Sequence, residues 1–262
     1  MSIYLELTRE FNAGRLRAVI ASGQAVVLHR LAIASKDGDW ILREEPAALE
    51  HVLGVLARRG ARYRFGAPLD IRWLAGGWSS HLEFRLDELR IRTDFFTRPP
   101  RVSASELERL WREQEGRDPA FTDERILAEM KKTGRQKDYP FIGELARRMR
   151  EPRDQLLYSR SPEDLLELAR RHPGLVGDLS ARRSVLARIP DGRRALAEAL
   201  QLEMLDLMEA DEARLARYRS ASTAWADAWP ALEREVSSLP LSAAHARIVA
   251  RAEALLPCEV RP

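Results

Sequence analysis

The segment Ser35-Lys36-Asp37-Gly38-Asp39-Trp40-Ile41-Leu42 places two carboxylates one residue apart at the start of an apolar run. Residues 37–42 are typical of a strand, and residues i and i+2 of a strand point to the same face. Asp37 and Asp39 would therefore project together, with open space left at Gly38. Mg²⁺ often takes one or two carboxylates together with substrate phosphates, so the pair is a candidate metal site. A plain turn is the alternative, since Asp-Gly is a common turn dipeptide.

The residues before this segment predict a phosphate-binding turn. An apolar run over residues 16–21 reads as a strand and ends at Ser22-Gly23-Gln24, and a short helix is predicted over residues 25–33. A glycine between a strand and a helix lets backbone N–H groups approach a phosphate, and the helix N-terminus favours its negative charge. Gly23 and Gln24 are therefore candidates to hold phosphates through the backbone.

A third carboxylate follows in Arg90-Ile91-Arg92-Thr93-Asp94-Phe95-Phe96, which reads as a later strand. A carboxylate among apolar residues needs a partner or a metal. On a neighbouring strand Asp94 would complete a two-metal site for in-line phosphoryl transfer. An ion pair with an arginine remains the alternative, and the candidate partners are Arg92, Arg98 and Arg101. Asp70, on a strand predicted over residues 69–75, is a weaker candidate for the same role.

Two further groups of polar residues are candidates for substrate contacts. If one helix continues through residues 131–138, Lys131, Arg135 and Asp138 lie on one face, where the basic groups could bind triphosphate and Asp138 could hold one of them in place. The alternative is that this charged segment simply forms a solvent-exposed helix face, which is more common. His81 and Glu83 alternate on one strand face and could line an acceptor pocket, or simply be exposed.

The pattern of elements predicts an α+β fold. Before about residue 102, short strands alternate with short helices; after it, nearly every segment has helical periodicity. Ser105 and Glu108 fit a capping box that opens the first of these later helices. We expect a small mixed-sheet domain over residues 1–115, followed by a helical region over residues 116–262 whose first helices complete the nucleotide site.

In order and spacing, these segments resemble the nucleotidyltransferase superfamily with the polymerase-beta-like fold. The likeness is greatest to bacterial members associated with abortive-infection and toxin–antitoxin systems, and it covers roughly residues 15–145. The segments that carry it are Gly23-Gln24, Ser35-Lys36-Asp37-Gly38-Asp39, Arg92-Thr93-Asp94-Phe95 and Lys131 through Asp138.

The resemblance implies a Mg²⁺-dependent enzyme, with Mn²⁺ as an alternative ion. It would move a nucleoside monophosphate from a nucleoside triphosphate to RNA, protein or a small molecule and release pyrophosphate. The implied metal ligands and catalytic residues are Asp37, Asp39 and Asp94. The implied nucleotide-binding residues are Gly23, Gln24, Ser35, Lys131, Lys132 and Arg135.

Gln24 departs from the family pattern, which usually has glycine or serine at this position. A larger side chain there would hinder the approach of phosphate. The sequence therefore also allows a binding module that keeps the fold and has lost the chemistry, such as an antitoxin-like partner.

Composition limits the remaining possibilities. The 262 residues are 45% hydrophobic and 32% charged, with a formal net charge of +3, which permits a nucleic-acid partner without requiring one. A purely helical nucleic-acid binder is disfavoured, because acidic residues interrupt the C-terminal arginines. The single cysteine, Cys258, fits a reducing compartment. The sequence predicts no signal peptide and no membrane partner, and we expect a cytoplasmic protein. It does not predict the oligomeric state.

Overall fold

The computed structural model describes residues 2–260 and confirms the predicted α+β class. A mixed sheet has the strand order β1-β2-β5-β4-β3. Its members are β1 Ala18–Ala21, β2 Asp37–Leu42, β3 Arg62–Tyr63, β4 Ser80–Leu86 and β5 Leu89–Phe96. The central pair β2 and β5 is parallel, and the other neighbouring strands are antiparallel.

The helices before residue 120 are α1 Ile3–Phe11, α2 Ser22–Leu28, α3 Pro46–Arg58, α4 Ile71–Leu74 and α5 Ala104–Gln114. Those that follow are α6 Glu124–Met130, α7 Tyr139–Arg148, α8 Pro152–Tyr158, α9 Pro162–Arg171 and α10 Pro173–Ser180. The last three are α11 Gly192–Ala221, α12 Thr223–Val236 and α13 Leu241–Leu255. Short 3₁₀ segments occupy Gln136–Asp138 and Ser184–Asp191.

One face of the central strands forms an aromatic core. The rings of Trp40 and Phe95 stack with centroids 5.5 Å apart, and Phe11 of α1 meets both edge-on. The Trp40 indole N–H donates to Thr8 at 2.9 Å, so its polar atom is satisfied where it is buried. Because side chains alternate along a strand, the residues next to Trp40 and Phe95 in sequence point to the opposite face of the sheet.

Three local predictions are corrected. Residues 69–75 do not form a strand: the Asp70 side chain accepts from the backbone N–H of Arg72 and caps the short helix α4. The two-residue strand β3 was not predicted. The capping box of α5 uses Ser103 and Glu106, two residues earlier than the predicted pair, because Ser103 is the residue with extended backbone before the helix.

The chain divides into two compact units. The sheet unit comprises the described residues up to Thr122 and those from Ala216 onward; the helical unit is Asp123–Leu215. The C-terminal helices α12 and α13 thus group with the sheet rather than with the other helices. The domain boundary near residue 115 stays a prediction, because a compact unit is not by itself a unit that folds alone.

The helical unit has its own apolar core. Its fully buried members come from four successive helical segments and from the first turns of α11. They are Leu156, Leu165, Leu179, Val185, Leu186, Leu196 and Leu200. Burial of these side chains, rather than helix propensity, holds such short helices in place.

In the sheet unit, the C-terminal segment packs closely on the end of α4. The indole N–H groups of Trp73 and Trp78 donate to the carbonyls of Leu256 and Pro257 at 3.0 and 2.9 Å. A Cβ added at Gly76 would lie 1.8 Å from the carbonyl oxygen of Cys258. This position therefore accepts only glycine without a shift of the backbone.

We expect Gly76→Ala to lower the free energy of unfolding by about 1–3 kcal/mol, because the added methyl group overlaps backbone rather than a mobile side chain. Urea denaturation measures the effect. Gly54→Ala in α3 is the matched control, since its nearest new neighbour would be 3.9 Å away at the end of Arg58. That change should be neutral or stabilising by up to about 1 kcal/mol. Equal stability of Gly76→Ala and the wild type would contradict the contact.

A half-buried histidine, His245, is expected to make the stability of this unit depend on pH. His245 of α13 stacks on Tyr63, whose hydroxyl lies 2.7 Å from His245 Nδ1. Burial lowers the pKa of His245 below its ordinary 6.5. Between the two values the unfolded chain binds more protons than the folded one, so this contribution to stability is complete above pH 6.5 and is lost as the pH falls.

We therefore expect the free energy of unfolding of the wild type to fall between pH 7.5 and 5.5, above the range in which carboxylates titrate. His245→Gln, which stays neutral, should give a flatter profile over the same interval. Denaturation at a series of pH values tests this, and parallel profiles for the two proteins would refute it.

No helix among residues 2–260 combines the length and the apolar character that a membrane span requires.

Candidate functional site

The parallel pairing of β2 with β5 brings two of the predicted carboxylates side by side. In this register Asp39 lies opposite Asp94, and Asp37 lies opposite Arg92. Neighbouring strands are about 4.8 Å apart, so the Asp39 and Asp94 side chains leave the sheet next to each other. Asp37 precedes Asp39 by two residues and shares its face. The site thus has three carboxylates on the face opposite the aromatic core.

The phenol of Tyr4 provides a second measure of this arrangement. Its hydroxyl donates to the carbonyl of Lys36 at 2.6 Å, which holds it at the start of β2. The pKa of Tyr4 is raised by burial and then by the negative charges of Asp37, Asp39 and Asp94. All three carboxylates therefore act on one group, as expected for a common cluster.

Gly38 contributes to the site by close packing, not by open space as predicted. A Cβ at Gly38 would lie 2.5 Å from the Tyr4 ring and 2.4 Å from the Trp40 ring. Both rings therefore press against the strand between the two aspartates. The absent side chain lets the aromatic core support this strand directly beneath the carboxylates.

Asp94 is already paired in this structure, and its partner is not among those considered from the sequence. Its Oδ1 forms a close ion pair with Arg64. His81 Nδ1 lies 2.8 Å from the same oxygen but forms no hydrogen bond with it. Arg98 instead binds Glu44, with its Nε donating at 2.7 Å. The sequence predicted either a metal site or an ion pair with an arginine at Asp94. The ion pair exists, but its arginine, Arg64, was not among the predicted partners.

Asp37 differs from Asp94, because one of its carboxylate oxygens lacks a hydrogen-bond donor. Its Oδ1 is buried and accepts no hydrogen bond from any described residue. The nearest cationic group is Arg92, whose Nη1 lies 3.7 Å away. A buried carboxylate oxygen without a donor is costly unless a cation meets it. This atom is therefore where the site best fits a metal ion.

Residues 2–260 contain no ready-made group of three or more His, Cys, Asp or Glu side chains that could hold a metal. Mg²⁺ does not require one, since it often binds through one or two carboxylates and completes its octahedron with water and substrate phosphates. Asp37 and Asp39 could supply that pair. Asp94 could join them only by releasing Arg64.

The residues of the predicted phosphate-binding turn form the first turn of α2, which spans Ser22–Leu28 and not residues 25–33 as predicted, and their side chains support the entrance to β2. The Gln24 amide is buried and donates to the carbonyls of Ser35 and Asp37 at 3.0 and 3.2 Å. Ser35 Oγ donates to the Asp37 carbonyl at 3.3 Å. A Cβ at Gly23 would lie 2.3 Å from that same hydroxyl oxygen. Gln24 thus points at the loop before Asp37, and its side chain is used inside the protein.

The predicted basic residues lie in the helical unit, and they do not share one continuous helix. Helix α6 ends at Met130, and a turn separates it from the 3₁₀ segment at residues 136–138. Asp138 nevertheless pairs with Lys131 at 3.4 Å and with Arg135 at 2.8 Å. Lys131 is buried in this contact, and Arg135 is exposed.

Lys132 has different partners from Lys131. Its ammonium donates to Glu129 at 2.7 Å and lies 4.9 Å from the centre of the Tyr158 ring. Of the two adjacent lysines, Lys132 therefore has the more accessible head group, with a side chain 19% exposed against 7% for Lys131.

The remaining candidates are placed as follows. Asp70 pairs with Arg72 at 2.9 Å as the cap of α4, so it is not a third carboxylate of the cluster. His81 and Glu83 do share the face of the cluster, since β4 pairs His81 with Asp94 and Glu83 with Arg92.

Two residues of the site, Tyr4 and Arg64, were not predicted from the sequence. No local signal marks either one, because helix α1 and the loop after β3 reach the site only through the fold.

Comparisons of the chain with models of protein families, with curated proteins and with solved structures find no match. The resemblance to nucleotidyltransferases therefore rests on the residues quoted above, and the activity follows from it as a proposal.

Proposed function

We propose that the chain is a Mg²⁺-dependent nucleotidyltransferase that moves a nucleoside monophosphate from a nucleoside triphosphate to an acceptor. The observation that carries the proposal is the placement of Asp39 beside Asp94, with Asp37 two residues earlier on the same face. Paired carboxylates on adjacent strands suit a metal that must bind substrate phosphates at the same time.

In this proposal Asp37 and Asp39 hold the ion, which supplies charge neutralisation for the phosphates. The acceptor oxygen forms a bond to the α-phosphorus while the bond to the bridging oxygen breaks, and pyrophosphate leaves. Asp94 completes the site and receives the proton of the acceptor hydroxyl. Arg64 would then have to exchange its ion pair with Asp94 for a contact elsewhere, for example with Glu83, which lies 3.8 Å from Arg64 Nε.

The nucleotide contacts are assigned by the same resemblance. Gly23, Gln24 and Ser35 would present the loop before β2 to the phosphates, with Gly23 and Gln24 acting through backbone N–H groups. The resemblance also assigns Lys131, Lys132 and Arg135 as positively charged nucleotide contacts, and within the helical unit the side chains of Lys132 and Arg135 are more exposed than that of Lys131.

A second candidate function is a binding module that keeps the fold without the chemistry. The ion pair between Arg64 and Asp94 favours it, because a guanidinium on the third carboxylate supplies the positive charge that a metal would otherwise bring. In that case the protein would bind a partner, as an antitoxin does, and nucleotide would not be consumed.

One experiment separates the two functions. The protein is incubated with Mg²⁺ and each labelled nucleoside triphosphate in turn, together with total RNA or total protein. Transfer of label that requires Mg²⁺ supports the enzyme. Absence of transfer in every combination, together with no Mg²⁺-dependent nucleotide binding by calorimetry, would overturn the proposal.

A further inference from the structure

The helical unit contains a cavity of about 260 Å³ that shares only Lys132 with the candidate site described above. Its lining residues come from α6, α7, α8, α11 and the 3₁₀ segment Ser184–Asp191, and from the turns that follow α6, α8 and α10. Its charged lining side chains are four cations and two anions: Lys132, Arg160, Arg182, Arg183, Glu129 and Glu203. The lining therefore has two positive charges more than negative ones.

Part of the lining is a largely buried ion cluster around Glu203. Arg183 donates to both oxygens of this carboxylate, each at 2.8 Å, and its third nitrogen donates to the carbonyl of Leu156. Arg160 forms a second close ion pair with the same carboxylate. The single negative charge of Glu203 is thus shared by two guanidinium groups, so the cluster has a net positive charge at the cavity.

The pKa shifts of Arg160 and Glu203 have their causes within this cluster. Burial lowers the pKa of Arg160, and the like charge of Arg183 lowers it further, against the opposing effect of Glu203. Burial raises the pKa of Glu203, but Arg183, Arg160 and Lys132 outweigh it and the pKa is lowered. Lys132 therefore acts on the same cluster. An anion in the cavity would relieve the repulsion between these cations.

The remaining lining groups supply hydrogen-bond donors nearer the surface. Glu129 is occupied by Lys132 and by the Tyr158 hydroxyl, each at 2.7 Å. An ammonium has three donors, so Lys132 retains capacity for a further acceptor. Arg182 and Ser184 are exposed and provide a guanidinium and a hydroxyl to the same cavity.

We propose that this cavity binds a phosphate group. A phosphate monoester has a charge of about −1.5 to −2 at neutral pH, which matches the excess of two cations, and three acceptor oxygens for the donors around it. Pockets for drug-sized ligands have about 300–1,000 Å³, so the cavity suits the phosphate group, with the rest of the ligand outside it. The site does not depend on the proposed transfer reaction.

Calorimetric titration of the full chain with inorganic phosphate, at constant ionic strength maintained with chloride, tests the proposal. The wild type should bind phosphate saturably. Arg182→Ala and Lys132→Ala should each weaken binding about tenfold, because each removes a charge-assisted hydrogen bond. Arg182 is exposed, so its replacement should leave the fold intact, which far-ultraviolet circular dichroism verifies.

Two controls locate the site. Arg194→Ala removes an arginine whose side chain is 94% exposed in the same unit but outside the cavity, and should bind phosphate as the wild type does. Asp39→Asn should also bind it normally even if transfer is lost, so the two proposals can fail separately. No saturable binding, or equal affinity in Arg182→Ala, Lys132→Ala and the wild type, would overturn the site.

Competition distinguishes the two sources of such a phosphate. Displacement of inorganic phosphate by adenosine monophosphate would identify a free nucleotide. Displacement by a 5′-phosphorylated oligoribonucleotide, but not by the same oligonucleotide with a 5′-hydroxyl, would identify an RNA end. Failure of both to compete would count against a phosphate monoester as the ligand.

Discussion

Asp37→Asn and Asp39→Asn should each reduce Mg²⁺-dependent transfer of label by about 100-fold or more. Even residues that only support metal ligands change affinity or activity by about 10- to 100-fold, so loss of a ligand charge should do at least as much. The change keeps the shape of the side chain. Asp37 Oδ1 has no hydrogen-bond donor among the described residues, so the substitution breaks no hydrogen bond at that atom and removes only the long ion pair with Arg92.

The matched control for both variants is Asp87→Asn. Asp87 is exposed in the turn between β4 and β5 and has a φ of +51°, a conformation that asparagine also tolerates. It should retain wild-type activity. Unfolding measurements on all three variants verify that stability is preserved. Full activity of both Asp37→Asn and Asp39→Asn would refute the assignment of the metal to this pair.

The largest effect on stability is expected from Glu203→Ala. The side chains of Arg183, Arg160 and Glu203 are 6%, 13% and 20% exposed. Removal of the carboxylate leaves two largely buried guanidinium groups that keep backbone carbonyls as acceptors but lose the negative charge that balances them. Breaking a buried ion pair from one side costs about 3–5 kcal/mol. Urea denaturation should therefore show a loss of this size in the free energy of unfolding.

Glu198→Ala is the control for this change. Glu198 pairs with Arg194 on the same helix, but the side chains are 65% and 94% exposed, and such pairs contribute about 0.3–0.5 kcal/mol. A loss below about 1 kcal/mol in Glu203→Ala would show that the cluster is hydrated. The pKa of Glu203 is lowered on folding, so its contribution is present above its ordinary 4.5 and lost as the pH falls below that value.

Local patterns predicted the parts of the structure that depend on near neighbours. Alternation along a strand placed Asp37 and Asp39 on one face, and the apolar residues that follow set the bounds of β2. Helix α4 was misread as a strand because a short apolar run cannot be assigned by periodicity alone. The N-cap at Asp70 was the available signal, since its carboxylate accepts from the free N–H of Arg72 in the first turn of the helix.

The basic segment shows a similar limit. Spacing along a helix predicted that Asp138 could hold one of the basic residues in place, and Asp138 in fact pairs with both Lys131 and Arg135 although the helix is interrupted. The burial of Lys131 and the exposure of Arg135 were not predictable from spacing, because burial depends on which other helices pack on the segment.

The sequence by itself determined the α+β class and the shared face of Asp37 and Asp39, because both follow from local alternation of side chains. Only the tertiary structure decided that Asp94 stands beside Asp39, that Arg64 pairs with Asp94, and that Arg160, Arg183 and Glu203 enclose a positively charged cavity. Each of these depends on pairing between segments far apart in the chain. Such pairing is set by burial of the aromatic and aliphatic cores, which places polar residues together without any signal in their own spacing.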